Sequence, residues 1–162
     1  MKKVFSSILI MATLVTLIGC NTVQLTAMQK RQITTKMMDG NYENIFKATV
    51  TVLQDNEYII KDSKLDTGLI TAEVNKESDW LTKALTTSKY GGTSMAGTKV
   101  EISAVVDKIN TGNSEIRISI EEKVYSNQGG TTSSTQNLDP KVYAKLFGDI
   151  QVEIKRREAL RG

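Results

Sequence analysis

Thr98-Lys99-Val100-Glu101-Ile102-Ser103-Ala104-Val105-Val106-Asp107-Lys108, a turn at Asn110-Thr111-Gly112-Asn113, then Glu115-Ile116-Arg117-Ile118-Ser119-Ile120-Glu121 is the stretch that decides the fold. Val100, Ile102, Ala104 and Val106 alternate with Lys99, Glu101, Ser103 and Asp107. Past the turn, Ile116, Ile118 and Ile120 alternate with Arg117, Ser119 and Glu121. A period of two puts each set on its own side of a strand, so both strands have one apolar and one wet face. Two such strands joined by a short polar turn are half of an antiparallel sheet packed on one side only.

Working outward, the elements that could cover the apolar side are helices. Asn41 is placed to cap a helix from Tyr42 to about Gln54, with Tyr42, Ile45, Phe46, Thr49, Val52 and Leu53 at helical spacing. Asp139-Pro140 opens a second, running to about Leu160, whose Tyr143, Leu146, Phe147, Ile150 and Ile154 form one stripe. Tyr58 to Lys61 and Leu69 to Val74 read as a hairpin turned by Asp66-Thr67-Gly68, and Gln32 to Met38 as a first strand ending at Asp39-Gly40. Ser126 to Asn137, with Gly129-Gly130 and a run of threonine and serine, reads as a flexible loop. The resulting order predicts an α+β fold, a single antiparallel sheet of about five strands with two helices on one face.

The first twenty residues have another character. Met1-Lys2-Lys3 precedes an apolar run from Val4 to Ile18, and Leu17-Ile18-Gly19-Cys20 follows. A basic start, an apolar centre and a small residue before the cut are the layout of a secretory signal, and the run is too short to span a bilayer. The last four residues resemble the lipobox read by the lipoprotein signal peptidase. That resemblance implies cleavage before Cys20 and acylation of its thiol, which anchors the chain to a membrane. Asn21 follows the cysteine where an aspartate would resemble an inner-membrane retention signal, so the expected location is the outer membrane, facing the periplasm. The organisation expected is a signal peptide at 1–19, an acylated cysteine and polar tether at 20–30, and one domain at 31–162.

Composition narrows the chemistry. The 162 residues hold 21 Lys plus Arg and 18 Asp plus Glu; without Lys2 and Lys3 the balance is 19 against 18, or +1, which predicts no nucleic-acid surface. The group Lys155, Arg156, Arg157 and Arg161 ends the last helix, where cations complement the dipole. There is no histidine, and Cys20 is the single cysteine, so Cys-His and Ser-His-Asp catalysis and most zinc sites lack their parts. Gly92 to Lys99 superficially matches a phosphate loop, but Thr98 separates Gly97 from the lysine and a strand follows where a helix is needed. Ser94 lacks a nucleophile-elbow context, and Glu121 and Glu122 point to opposite faces of a strand. Asp62 and Asp66 lack the ligand density of a calcium loop. The expectation is a non-enzymatic protein with no cofactor and no metal.

Within the long polar interruption from Asn75 to Gly97, Trp80-Leu81 and Leu85 stand out. They read as an apolar cap on an open edge or end of the core, as a patch that docks a partner, where tryptophan is favoured, or as a contact with the membrane to which Cys20 is tied.

Arg31-Gln32-Ile33-Thr34-Thr35-Lys36, Lys47-Ala48, Leu53-Gln54-Asp55, Gly68-Leu69-Ile70-Thr71-Ala72, Val142-Tyr143 and Leu146-Phe147 together resemble a family of small bacterial lipoproteins of uncharacterised function. The order of elements is also similar to the helix-grip domains of the BamC lipoprotein in the outer-membrane β-barrel assembly machinery, a likeness of architecture alone. The function expected is a lipid-anchored, periplasm-facing accessory or assembly factor that binds other envelope proteins. The alternative is a carrier of a lipid or small apolar ligand held between helix and sheet, with Trp80, Phe46 and Phe147 lining the pocket.

Overall fold

The computed structural model describes residues 25–75, 97–125 and 131–161. The element order is α1 (Ala27–Thr34), β1 (Thr35–Asp39), α2 (Tyr42–Asp55), β2 (Ile59–Lys64), β3 (Leu69–Asn75), β4 (Gly97–Lys108), β5 (Asn113–Tyr125), β6 (Thr131–Gln136) and α3 (Pro140–Ala159). The fold is α+β, with one antiparallel sheet and helices, as the alternation predicts.

The sheet runs β1-β5-β4-β3-β2, and β6 also pairs with β5. β1 lies along Asn113 to Arg117 and β6 along Glu121 to Tyr125, so two short strands share the outer edge of one long one. All these pairs are antiparallel, and β4 and β5 stay in register over twelve residues, from Gly97 opposite Tyr125 to Lys108 opposite Ser114.

Because paired residues share a face, the register stacks the apolar positions in rows. Ala72, Ile102 and Ile120 form one row, and Ile70, Ala104 and Ile118 the next. Against them α2 lays Ile45, Ala48, Val52 and Leu53, and α3 lays Val142, Leu146, Ile150 and Ile154, all buried. Burying a side chain of this size contributes about 1.5–3 kcal/mol. The Tyr143 hydroxyl, buried with its ring, donates to the Asn137 carbonyl at 2.9 Å, which satisfies its polar end.

The helix starts follow their caps. Asn41 accepts from the Asn44 amide at 2.9 Å and Asp139 from the Lys141 amide at 2.9 Å, with Pro140 in the first turn. Gly68, at φ +69°, makes the tight end of the β2–β3 hairpin.

Three sequence expectations are corrected. The stretch Gln32–Met38 is not one strand, because α1 runs from Ala27 to Thr34 and the strand begins at Thr35. A capping box wins there over the β-branched Ile33, Thr34 and Thr35: Thr26 accepts from the Gln29 amide at 3.3 Å, and the Gln29 side chain accepts from the Thr26 amide at 2.8 Å. Helix α1 therefore lies partly inside the stretch 20–30 read as tether, and the described residues hold three helices where two were expected. Residues Thr131–Gln136, read as loop, form β6; their pairing comes from the β5 backbone and needs no apolar alternation. The sheet accordingly has six strands.

Candidate functional site

Among the described residues no helix covers the other side of the sheet, and the register that stacks the core also stacks the polar side chains on that face. Glu73, Glu101 and Glu121 are directly opposite one another on β3, β4 and β5. On one side of this carboxylate row stand Lys99 and Lys123, opposite one another; on the other stand Thr71, Ser103 and Ser119. A further row holds Leu69, Val105 and Arg117. The face is thus banded across the strands as lysine, glutamate, hydroxyl and mixed apolar.

Like charges directly opposite in a sheet repel, and the flanking lysines offset that repulsion. Lys61 reaches Glu73 at 3.0 Å, with Lys99 at 3.6 Å from the same oxygen. Lys123 lies 2.5 Å from Glu101, whose other oxygen accepts from the Tyr125 hydroxyl at 3.3 Å. Ser134 of β6 donates to Glu121 at 3.3 Å, and Gln136 donates to Ser119 at 3.4 Å. The Lys99 ammonium also sits 5.6 Å from the centre of the Tyr125 ring, within cation–π range.

These contacts tune the charges. The hydrogen bond from Lys61 holds the Glu73 carboxyl below the usual range, and the Glu101 carboxylate raises Lys123. Both groups therefore stay ionised near neutral pH.

The short side chains of the hydroxyl row leave room between longer neighbours. A shallow depression of about 400 Å³ follows, bounded by Lys61, Glu73, Glu101, Ser103, Ser119 and Glu121. It offers fixed charges of both signs and hydroxyls that donate or accept. No group of three or more acidic or cysteine side chains among the described residues is arranged to hold a metal ion.

Cys20, Trp80, Leu81, Leu85 and Ser94 lie outside the described residues. Glu121 and Glu122 sit on opposite faces, Glu121 in the carboxylate row and Glu122 in the row of Val74 and Val100. Phe46 and Phe147 pack in the core between helices and sheet. Asp66 is exposed in the turn, and Asp62 pairs with Lys64 at 3.0 Å.

The basic group at the end of α3 is more than solvated charge. Arg156 and Arg157 both grip Glu153, only 9% exposed, and Arg157 continues to the Thr51 hydroxyl on α2 at 2.7 Å. This clamp ties α3 to α2. Lys155 and Arg161 are exposed.

Sequence reasoning passed over the banded face because each polar position alone is ordinary outward-facing polarity. The signal lay in aligning Glu73, Glu101 and Glu121, which requires the strand register.

Among the described residues no helix is long and apolar enough to cross a membrane. No protein-family model matches the chain, and no curated protein matches it. Among solved structures it is similar to a DUF4468 family protein from Bacteroides ovatus, with a TM-score of 0.39 and 12% identity over 83% of this chain and 91% of that one. At that overlap the likeness carries no argument about function.

Proposed function

We propose that the chain is a lipid-anchored envelope protein, acylated on Cys20 and facing the periplasm from the outer membrane, whose domain binds another envelope protein in a non-catalytic accessory or assembly role. The open face of the sheet is its binding surface. The observation that carries this reading is the banding of lysine, glutamate and hydroxyl rows around the depression on a face that no described helix covers. Such a surface suits a protein partner, since charges arranged in fixed rows confer register and orientation more than raw affinity. The lipobox-like Leu17-Ile18-Gly19-Cys20 supports the anchor. Trp80, Leu81 and Leu85, on the connection between β3 and β4, are the proposed apolar contribution to the same partner.

The test is site-specific photo-crosslinking of the full-length chain in cells, with the photoreactive residue at Ser103 in the depression or at Val152 on the outer side of α3. The reading expects an adduct of one defined mass from Ser103, none from Val152, and loss of the Ser103 adduct when Trp80 and Leu81 become alanine. Intact mass of the mature protein, against a Cys20→Ala variant, should show the added acyl groups. A full-length protein without acyl mass, or equal crosslinking from both positions, overturns it.

A further inference from the structure

The open face has relief as well as charge. Successive rows stand two residues apart along each strand, which is about 7 Å. The hydroxyl row of Thr71, Ser103 and Ser119 is the low one, because its side chains are short. Glu73, Glu101 and Glu121 rise on one side of it, and Leu69, Val105 and Arg117 rise on the other. These two walls are four residues apart on every strand, about 13–14 Å. The depression lies at the foot of the carboxylates, from Thr71 on β3 to Ser119 on β5, with Lys61 of β2 at its end. It therefore crosses the strands instead of following one.

The direction and width of this trough select what lies in it. An α-helix with its side chains is about 10–12 Å across, so it fits between the walls, and its backbone groups are already paired within it. An extended segment laid across the face would meet side chains only, with no strand edge to pair its N–H and C=O groups.

The walls set the composition of the helix. Leu69 and Val105 are half-buried apolar side chains and call for an apolar flank. On the other wall Glu73 has Lys61 at 3.0 Å and Glu101 has Lys123 at 2.5 Å. Glu121 is in no ion pair among the described residues, and the Ser134 hydroxyl donates to it at 3.3 Å. One carboxylate of the row is thus left for a cation, at the β5 end of the trough. Arg117, the cation of the opposite wall, is held by Glu115 at 3.8 Å.

We infer that, on the reading above that this face binds an envelope protein, the element it takes is an amphipathic α-helix of that protein. The helix lies across β3, β4 and β5, apolar toward Leu69 and Val105, with a lysine or arginine against Glu121.

The test places a photoreactive residue at Thr71, Ser103 or Ser119 in turn, in the full-length chain in cells, and maps the crosslinked residues of the partner by mass spectrometry. Thr71 and Ser119 are two strand spacings apart, about 10 Å. That distance covers about six or seven residues of a helix but about three of an extended segment. The adducts from Thr71 and Ser119 should therefore fall about six or seven residues apart in one segment of one partner, with that from Ser103 between them. Glu121→Gln should lower the yield from Ser103 about threefold, the effect of one surface ion pair, at an unchanged urea midpoint. Absence of a defined adduct from all three positions overturns the binding reading and this inference with it. Adducts about three residues apart, adducts on separate segments, or a yield that Glu121→Gln leaves undiminished overturn the inference and leave the binding reading standing.

Discussion

Replacing Gly68 by alanine tests the register from which the banded face is built. Gly68 stands at φ +69°, and a Cβ placed on it would lie 2.1 Å from the Val106 carbonyl oxygen. Ordinary carbon–oxygen contact needs about 1.2 Å more, so the turn must swing away from β4. The left-handed conformation costs a side-chain-bearing residue about 1–2 kcal/mol. The swing also breaks the bond from the Val106 amide to the Gly68 carbonyl, 3.0 Å long, worth about 1 kcal/mol net. The Tyr42 hydroxyl donates to the Leu65 carbonyl in the same turn and is disturbed too. The sum is a loss of about 3 kcal/mol, read as a lower urea midpoint at unchanged m-value. In a domain of this size that is a drop of roughly 10 °C in Tm. A loss below about 1 kcal/mol would show that the hairpin end is not pinned against β4, and would refute the reasoning.

Other consequences are smaller or more local. Ile102→Ala, at a residue 1% exposed in the central strand, should cost about 3–4 kcal/mol by urea unfolding, while Ile59→Ala, 60% exposed on the edge strand, should cost less than about 0.5 kcal/mol. The hydrogen bond from Arg156 holds the Glu153 carboxyl below its ordinary range, so its stabilisation is present above the unfolded value near pH 4.3 and is lost as pH falls through the folded value. The urea midpoint of Glu153→Gln should therefore start lower at neutral pH and fall less steeply between about pH 5 and pH 2 than that of the parent. Thr26→Ala removes the capping box and should weaken α1 by about 1 kcal/mol, seen as faster hydrogen exchange at the Lys30 amide with an unchanged global midpoint.

What could be read beforehand was whatever the core dictates. Val100 to Val106 and Ile116 to Ile120 alternate because one side of each strand meets α2 and α3, and burial writes that period into the sequence. Pro140 and Asn41 announced their helices by capping chemistry. The elements that were missed answer to other forces. β6 is exposed at Thr131 and from Ser133 to Gln136, so no period-two pattern is imposed on it, and only the β5 backbone makes it a strand. α1 is eight residues long with a single half-buried apolar anchor, Ile33, and its one clear mark was the pair Thr26 and Gln29. At the candidate site, alternation placed Glu101 and Glu121 on the wet side of their strands. It could not place them opposite one another and opposite Glu73, because lateral alignment depends on the turns and bulges that fix register. Arg156 and Arg157 belong to the end of a helix in sequence and to a clamp on α2 in space.

The central claim, that the banded face recognises a protein partner, is tested most directly by exchanging two of its charges. Glu101→Lys with Lys123→Glu retains the pair that now spans 2.5 Å but inverts the pattern offered to a partner. The account predicts a urea midpoint within about 1 kcal/mol of the parent, as expected when a half-buried pair keeps its opposite charges, and loss of the adduct formed from a photoreactive residue at Ser103. An adduct of unchanged mass and yield from the exchanged protein would contradict it.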